Sequence, residues 1–185
     1  LTYTGEELRA IQLRENAVFN VCDCQGTGGI KGEGVAHYPG EANQDRNSTE
    51  LLTSGSNTTI NLYGVTLTSN ATVVQTVANS TLTLDGARLV AEGQASYTLD
   101  AVANSSVTVK NSSIENEVTD AVRVSTSDFT VIGGSITTKG NRPGLYVTSD
   151  AQATLSGSPT IRGRNYDIFL YSRSSRIAVD GELTG

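Results

Sequence analysis

The stretch NSTLTLDGARLVAEG at residues 79–93 returns in altered form as NSSVTVKNSSIENE at residues 104–117. Apolar residues keep their offsets, Leu82 and Leu84 becoming Val107 and Val109, while almost everything between them changes. The pattern extends in both directions. Ile60 with Leu62, Leu82 with Leu84, Val107 with Val109, Phe129 with Val131, Ala153 with Leu155 and Ile177 with Val179 succeed one another at steps of 22, 25, 22, 24 and 24 residues. Each pair is followed by a turn such as DG, GG or SG and then one apolar residue: Leu67, Leu89, Ile114, Ile136, Ile161 and Leu183. A third column precedes the pairs, with Leu99 and Ala101, Val122 and Val124, Leu145 and Val147, Ile168 and Leu170.

Alternation with a period of two marks short, half-buried strands. Three such strands per repeat cannot bury their own apolar faces, whereas stacked repeats can. The expected fold is therefore all-β, a parallel solenoid of about seven coils, with strands of neighbouring coils paired about 4.8 Å apart. The recurrent Val, Ile and Thr agree with a folded β protein rather than a disordered chain. An earlier coil fits Ile11 to Ile30, with Ile11 and Leu13, then Phe19 and Val21, turned inward. All 185 residues read as one β-helix domain, with residues 1–10 as an N-terminal cap and residues 33–49 as an inserted loop. Thr4 and Glu7 make a capping box that predicts a short capping helix over TGEELRAI. The chain begins at Leu1 and ends on ELTG in mid-pattern, which reads as a segment of a longer protein.

The coils SVTVKNSSIEN and FTVIGGSIT, the stretch FNVCDCQGTGGIKG, and the ending SPTIRGRNYDIFLYSRSSRIAVDGELTG resemble right-handed parallel β-helix repeats of the pectate-lyase-like superfamily. They are most similar to repeats of large secreted or surface-anchored bacterial proteins. The resemblance covers nearly all of the chain outside the inserted loop, and it implies an extracellular or cell-surface location. Its motifs specify coils and say little about chemistry, because many functions sit on this architecture.

A net charge of −6 argues against a nucleic-acid binder, which needs clustered Lys and Arg. No apolar run approaches the length of about 18 residues that inserts across a bilayer. His37, the only histidine, lies in the inserted loop beside Tyr38, Glu41, Asp45 and Arg46. Without a second ligand or a paired nucleophile it makes neither a zinc site nor a triad. Cys22 and Cys24 are too close for an unstrained disulfide and read as small buried thiols at a turn. Among the acids, Asp85 and Asp180 sit in turns, and Glu115, Glu117 and Asp120 cluster on one turn. Calcium, held weakly by that cluster, is the only cofactor left open, since calcium wants six to eight oxygens. No catalytic residues are assigned, and the lyase and polygalacturonase signatures of the superfamily are missing.

One arrangement is less ordinary. Steps of 23 along the wall that carries the third column bring Asp100, Arg123, Tyr146 and Phe169 into line, each between two inward residues and so outward, with Tyr171 beside Phe169. Charge is also uneven. Residues 139–176 hold six basic residues (Lys139, Arg142, Arg162, Arg164, Arg173, Arg176) against Asp150 and Asp167, a balance of +4 that leaves −10 for the remainder. Arg123, Tyr146, Arg164, Phe169, Tyr171 and Arg173 are the candidate ligand-binding residues, an aromatic and arginine wall suited to sugar rings and anionic groups. The same wall would serve equally well if buried against the rest of a longer chain or a second copy.

Six Asn-x-Ser/Thr sequons, at Asn47, Asn57, Asn70, Asn79, Asn104 and Asn111, fit solenoid turns, where Asn, Ser and Thr make local backbone hydrogen bonds. A Thr-x-Thr array suited to ice is set aside because Thr81 and Thr83 are not continued by Val107 and Val109. The sequence thus points to a non-catalytic module of a bacterial surface or secreted protein, a stalk or adhesin whose partner is a glycan or a host surface protein. The alternative is a polysaccharide lyase or glycoside hydrolase fragment, suggested by Asp100 with Arg123.

Overall fold

The computed structural model describes residues 2–3, 9–23, 25, 28–32, 50–93 and 97–181. The first strand is β1 (Thr2–Tyr3), followed by β2 (Arg9–Gln12), β3 (Val18–Cys22) and β4 (Gly29–Gly32). Next come β5 (Glu50–Thr53), β6 (Thr59–Tyr63) and β7 (Thr66–Ser69), then β8 (Thr72–Thr76), β9 (Thr81–Asp85) and β10 (Arg88–Ala91). The middle of the chain forms β11 (Tyr97–Ala101), β12 (Ser106–Lys110) and β13 (Ser113–Asn116), then β14 (Asp120–Ser125), β15 (Asp128–Ile132) and β16 (Ser135–Thr138). The last strands are β17 (Leu145–Thr148), β18 (Gln152–Ser156), β19 (Thr160–Arg162), β20 (Ile168–Leu170) and β21 (Arg176–Val179).

Every third strand pairs in parallel, and this produces three walls. The first wall is β2-β5-β8-β11-β14-β17-β20, the second β3-β6-β9-β12-β15-β18-β21 and the third β1-β4-β7-β10-β13-β16-β19. The molecule is a parallel β-solenoid. Five complete coils lie between Glu50 and Arg162, fewer than the seven the repeats suggest. The flanking strands β1–β4 and β20–β21 belong to turns described only in part. No helix occurs among the described residues. Arg9, Ala10 and Ile11, the end of the predicted capping helix, are strand, because they pair with β5 in the first wall; residues 4–8 lie outside the described residues, as does the inserted loop.

The inward columns behave as their spacing dictates. Leu84, Val109 and Val131 are fully buried in register, as are Leu99, Val122 and Leu145 on the first wall. Phe129 stacks between Val107 and the small Ala153, so a large ring in one coil is accommodated by a methyl in the next. Leu170 and Val179, expected inward, are 45% and 55% exposed, since no described strand lies beyond β20 and β21.

The turns explain the sequons. Asn57, Asn79, Asn104 and Asn111 all have left-handed backbone (φ 53°, 64°, 61° and 46°), which Asn tolerates better than other side chains with a Cβ. The N–H groups of Asn57, Asn79 and Asn104 each donate to a carbonyl of the next coil, at Ala78, Ala103 and Thr126. The residue after each of the four is a buried hydroxyl that ties down its turn: Ser112 Oγ, for instance, donates to the Lys110 carbonyl and accepts the Ala87 N–H. Gly134 serves close approach, because a Cβ there would strike the Ser112 carbonyl of the coil beneath.

Pairing also corrects the reading of the threonines. Val107 and Val109 align with Leu82 and Leu84, so the true partners of Thr83 are Thr108, then Thr130 and Thr154. One threonine column therefore does continue along the second wall. The neighbouring column, Thr59, Thr81 and Ser106, gives way to Asp128 and Gln152, so no two-row array forms.

Candidate functional site on the first wall

The outward column of the first wall is in register as expected: Asp100 opposite Arg123, Arg123 opposite Tyr146, Tyr146 opposite Phe169. Its first member is not displayed to solvent. Asp100 is only 2% exposed, because its long neighbour lies along the solenoid axis and covers it. The carboxylate accepts Nε and Nη2 of Arg123, both at 2.7 Å, and Nε2 of Gln75 at 3.1 Å. Arg123 also places its guanidinium carbon 4.4 Å from the Tyr97 ring centroid and donates Nη1 to the Tyr97 hydroxyl at 3.4 Å. Burial works against the Arg123 charge, but the hydrogen bonds and charge of Asp100 outweigh it and hold the guanidinium more firmly protonated than usual. Burial likewise raises the Tyr97 phenol above its ordinary value.

Farther along, the column becomes aromatic. Tyr146 and Phe169 stack at 5.7 Å between centroids and 15° between planes, Tyr166 covers Phe169 at 5.2 Å and 18°, and Tyr171 meets Tyr146 edge-on at 5.9 Å. These rings flank an open groove of about 500 Å³, whose other lining includes Tyr97, Asp120, Arg142 and Pro143. Tyr97, Asp120, Pro143 and Tyr166 stand two residues before the inward Leu99, Val122, Leu145 and Ile168, so they form a second row with the same period. That row was legible as a step of 23 residues, but it sits where the irregular turn enters the wall, outside the inward pairs.

Of the six candidate residues, Tyr146, Phe169 and Tyr171 line the groove, and Arg123 supports its Tyr97 side. Arg164 and Arg173 are exposed and do not line it. Arg142, from outside the expected set, does; its carbonyl accepts the Arg164 N–H. Part of the positive charge of this region is already paired, Lys139 with Glu117 at 2.7 Å and Arg162 with Asp167 at 3.7 Å.

The acidic turn comes apart in the same way. Glu115 is held by Arg88 at 3.0 Å, Glu117 by Lys139, and Asp120 faces the groove. Among the described residues no three His, Cys, Asp or Glu side chains converge to hold a metal. Cys22 is exposed rather than buried, because it occupies an outward position at the end of β3. Cys24 and His37 with its neighbours lie outside the described residues.

Asp120 accepts its own backbone N–H, and its carboxylate has no side-chain hydrogen bond or ion pair among the described residues. Burial raises its carboxyl above the usual range, opposed by the Arg142 charge, the backbone hydrogen bond and the Arg123 charge. A folded value above the unfolded one means that the fold holds this proton more tightly. The contribution to stability is complete below the unfolded value and is lost as pH rises through the folded value. Asp120→Asn is therefore expected to raise the thermal midpoint at neutral pH, with the gap over the parent closing below about pH 4. A lower midpoint for the variant at neutral pH would contradict this account.

The chain matches no family model, no curated protein and no solved structure. What the fold and the groove define is a class of architecture, a parallel β-solenoid with an aromatic-lined groove on one wall.

Proposed function

We propose that this chain is a non-catalytic binding module of a secreted or cell-surface bacterial protein, an adhesin or stalk of pectate-lyase-like β-helical type, which holds a glycan in the groove of the first wall. The observation that carries this reading is the contact among the rings. Centroids 5.2–6.3 Å apart leave no room for a cation between them, so the aromatics make a platform and not a cage. Electron-rich faces of this kind suit the weakly positive C–H face of a pyranose, and the polar groups at the groove edge suit its hydroxyls. Tyr166 and Tyr171, 53% and 68% exposed, are large apolar surfaces in want of a cover.

The cleavage alternative finds less support. Glycoside hydrolysis uses two carboxyl groups about 5–10 Å apart across the scissile bond. Asp120 is the only carboxylate among the described groove residues, and Asp100 is sealed under Arg123. The isolated chain is expected to release neither unsaturated nor reducing ends from pectin, alginate or glycosaminoglycans. In a glycan-array screen it is expected to retain a defined set of sugars, and Tyr146→Ser with Phe169→Ser is expected to lose that set while melting as a folded protein. A double variant that binds every ligand of the parent equally well, or capture of a protein and no sugar, would overturn the glycan reading.

A further inference from the structure

Asp120 is a carboxylate in an aromatic groove that accepts its own backbone N–H and, among the described residues, has no side-chain partner. It is half-buried at the start of β14, beside Tyr97 in register. Of the neighbouring charges, Arg123 is tied to Asp100 through two hydrogen bonds, and Arg142, whose charge reaches Asp120, lies at the exposed rim without forming an ion pair to it. A partly desolvated carboxylate gains most from donors placed against both oxygens. Two adjacent sugar hydroxyls supply such donors, and a hydroxyl oxygen in turn accepts from a guanidinium.

Resting on the glycan reading above, we propose that Asp120 is the specificity-determining residue of the groove, accepting hydrogen bonds from the vicinal hydroxyls of a neutral pyranose that stacks on the Tyr146 and Phe169 platform, with Arg142 donating to a hydroxyl oxygen at the rim. This reverses the preference for acidic partners that the local excess of arginine suggests. The reason is screening. Arg142 is exposed and its charge is weakened by water and salt, whereas the half-buried charge of Asp120 is felt at closer range by anything in the groove. A uronate in the same place would meet that charge directly.

The groups that face Asp120 are Tyr97 on β11, Arg123 on β14, Arg142 before β17 and Tyr146 on β17. Burial pushes the two tyrosines further above neutrality and Asp100 holds Arg123 protonated, so Asp120 is the group here that changes state in mild acid. Binding through its carboxylate weakens as pH falls through its raised value.

The test uses titration calorimetry of the full chain with galactan, glucan and mannan oligosaccharides, with oligogalacturonate as the acidic counterpart of galactan, and with O-methylated versions lacking free hydroxyl pairs. The parent is expected to bind one neutral series and to discriminate against its acidic and methylated counterparts. Asp120→Asn is expected to weaken that binding by about ten-fold or more while melting no lower than the parent. Lowering the pH is expected to weaken the parent and leave the variant unchanged. A preference for oligogalacturonate, or an Asp120→Asn variant that binds as well as the parent while the Tyr146→Ser, Phe169→Ser variant does not, overturns the role of Asp120 and leaves the platform standing. Binding of no sugar by the folded parent overturns the glycan reading and this proposal together.

Discussion

Val131→Asp is expected to unfold the chain, while Thr130→Asp, one residue away, leaves it folded. The two positions share strand β15 and differ only in the face they present. Val131 is fully buried and in register with Val109 below it and Leu155 above it, so a carboxylate there would enter a stack of apolar side chains. Losing the apolar contact alone forfeits about 1.5–3 kcal/mol. An unpaired buried charge brings the total beyond about 4–5 kcal/mol, a large share of the 5–15 kcal/mol that typically holds a domain together. Thr130 faces outward in the threonine column, where a carboxylate remains hydrated. Thermal unfolding by far-UV circular dichroism decides the matter: equal midpoints for the two variants would mean that the register is wrong.

The second large effect is expected at Asp100. Arg123→Met removes two of the three side-chain hydrogen bonds of a carboxylate that is 2% exposed in the parent and leaves Gln75 to bond it, and loss of one partner from a buried pair costs about 3–5 kcal/mol. Replacing both, as Asp100→Leu with Arg123→Met, is expected to restore most of that loss, because the cost of the single change lies in the stranded charge and not in any net strength of the pair. A double-mutant cycle in chemical denaturation measures the difference. If Arg123→Met destabilises by less than about 1 kcal/mol, the range of a surface ion pair, Asp100 is wetter than its geometry states.

These two sites show where sequence periodicity sufficed and where it did not. Alternation assigns Leu82, Val107, Phe129 and Val131 to the interior because a strand gives each side chain only two faces. The same arithmetic puts Asp100 and Arg123 outside, which is true of their direction, but Asp100 is buried and Arg123 only part exposed. Stacked coils bring outward side chains within one strand spacing of each other, and a long arginine can lie down over its neighbour. Leu170 and Val179 point inward yet remain exposed, because burial on a solenoid depends on the next coil as well as on the strand's own pattern.

The groove was half legible. Tyr146, Phe169 and Tyr171 belong to or adjoin a regular strand column. Tyr97 and Asp120 open β11 and β14 ahead of the inward pairs, and Arg142 lies in the turn before β17; only the step of 23 residues from Tyr97 through Asp120 and Pro143 to Tyr166 betrays the row. Cys22 illustrates the converse error: its type suggests burial, but its position on β3 is outward, and position decides.

The asparagine column at the turn between the first and second walls bears on any chemistry added after synthesis. Asn57, Asn79 and Asn104 are stacked through backbone hydrogen bonds, one strand spacing of about 4.8 Å from coil to coil, and all three side chains are exposed. A branched oligosaccharide attached to one of them is several times wider than that spacing. It would shadow the sequons directly above and below, so the middle asparagine and its neighbours compete for the same volume. In a host that modifies such sequons on the folded chain, the three sites would accordingly be filled as alternatives, giving mainly singly modified molecules.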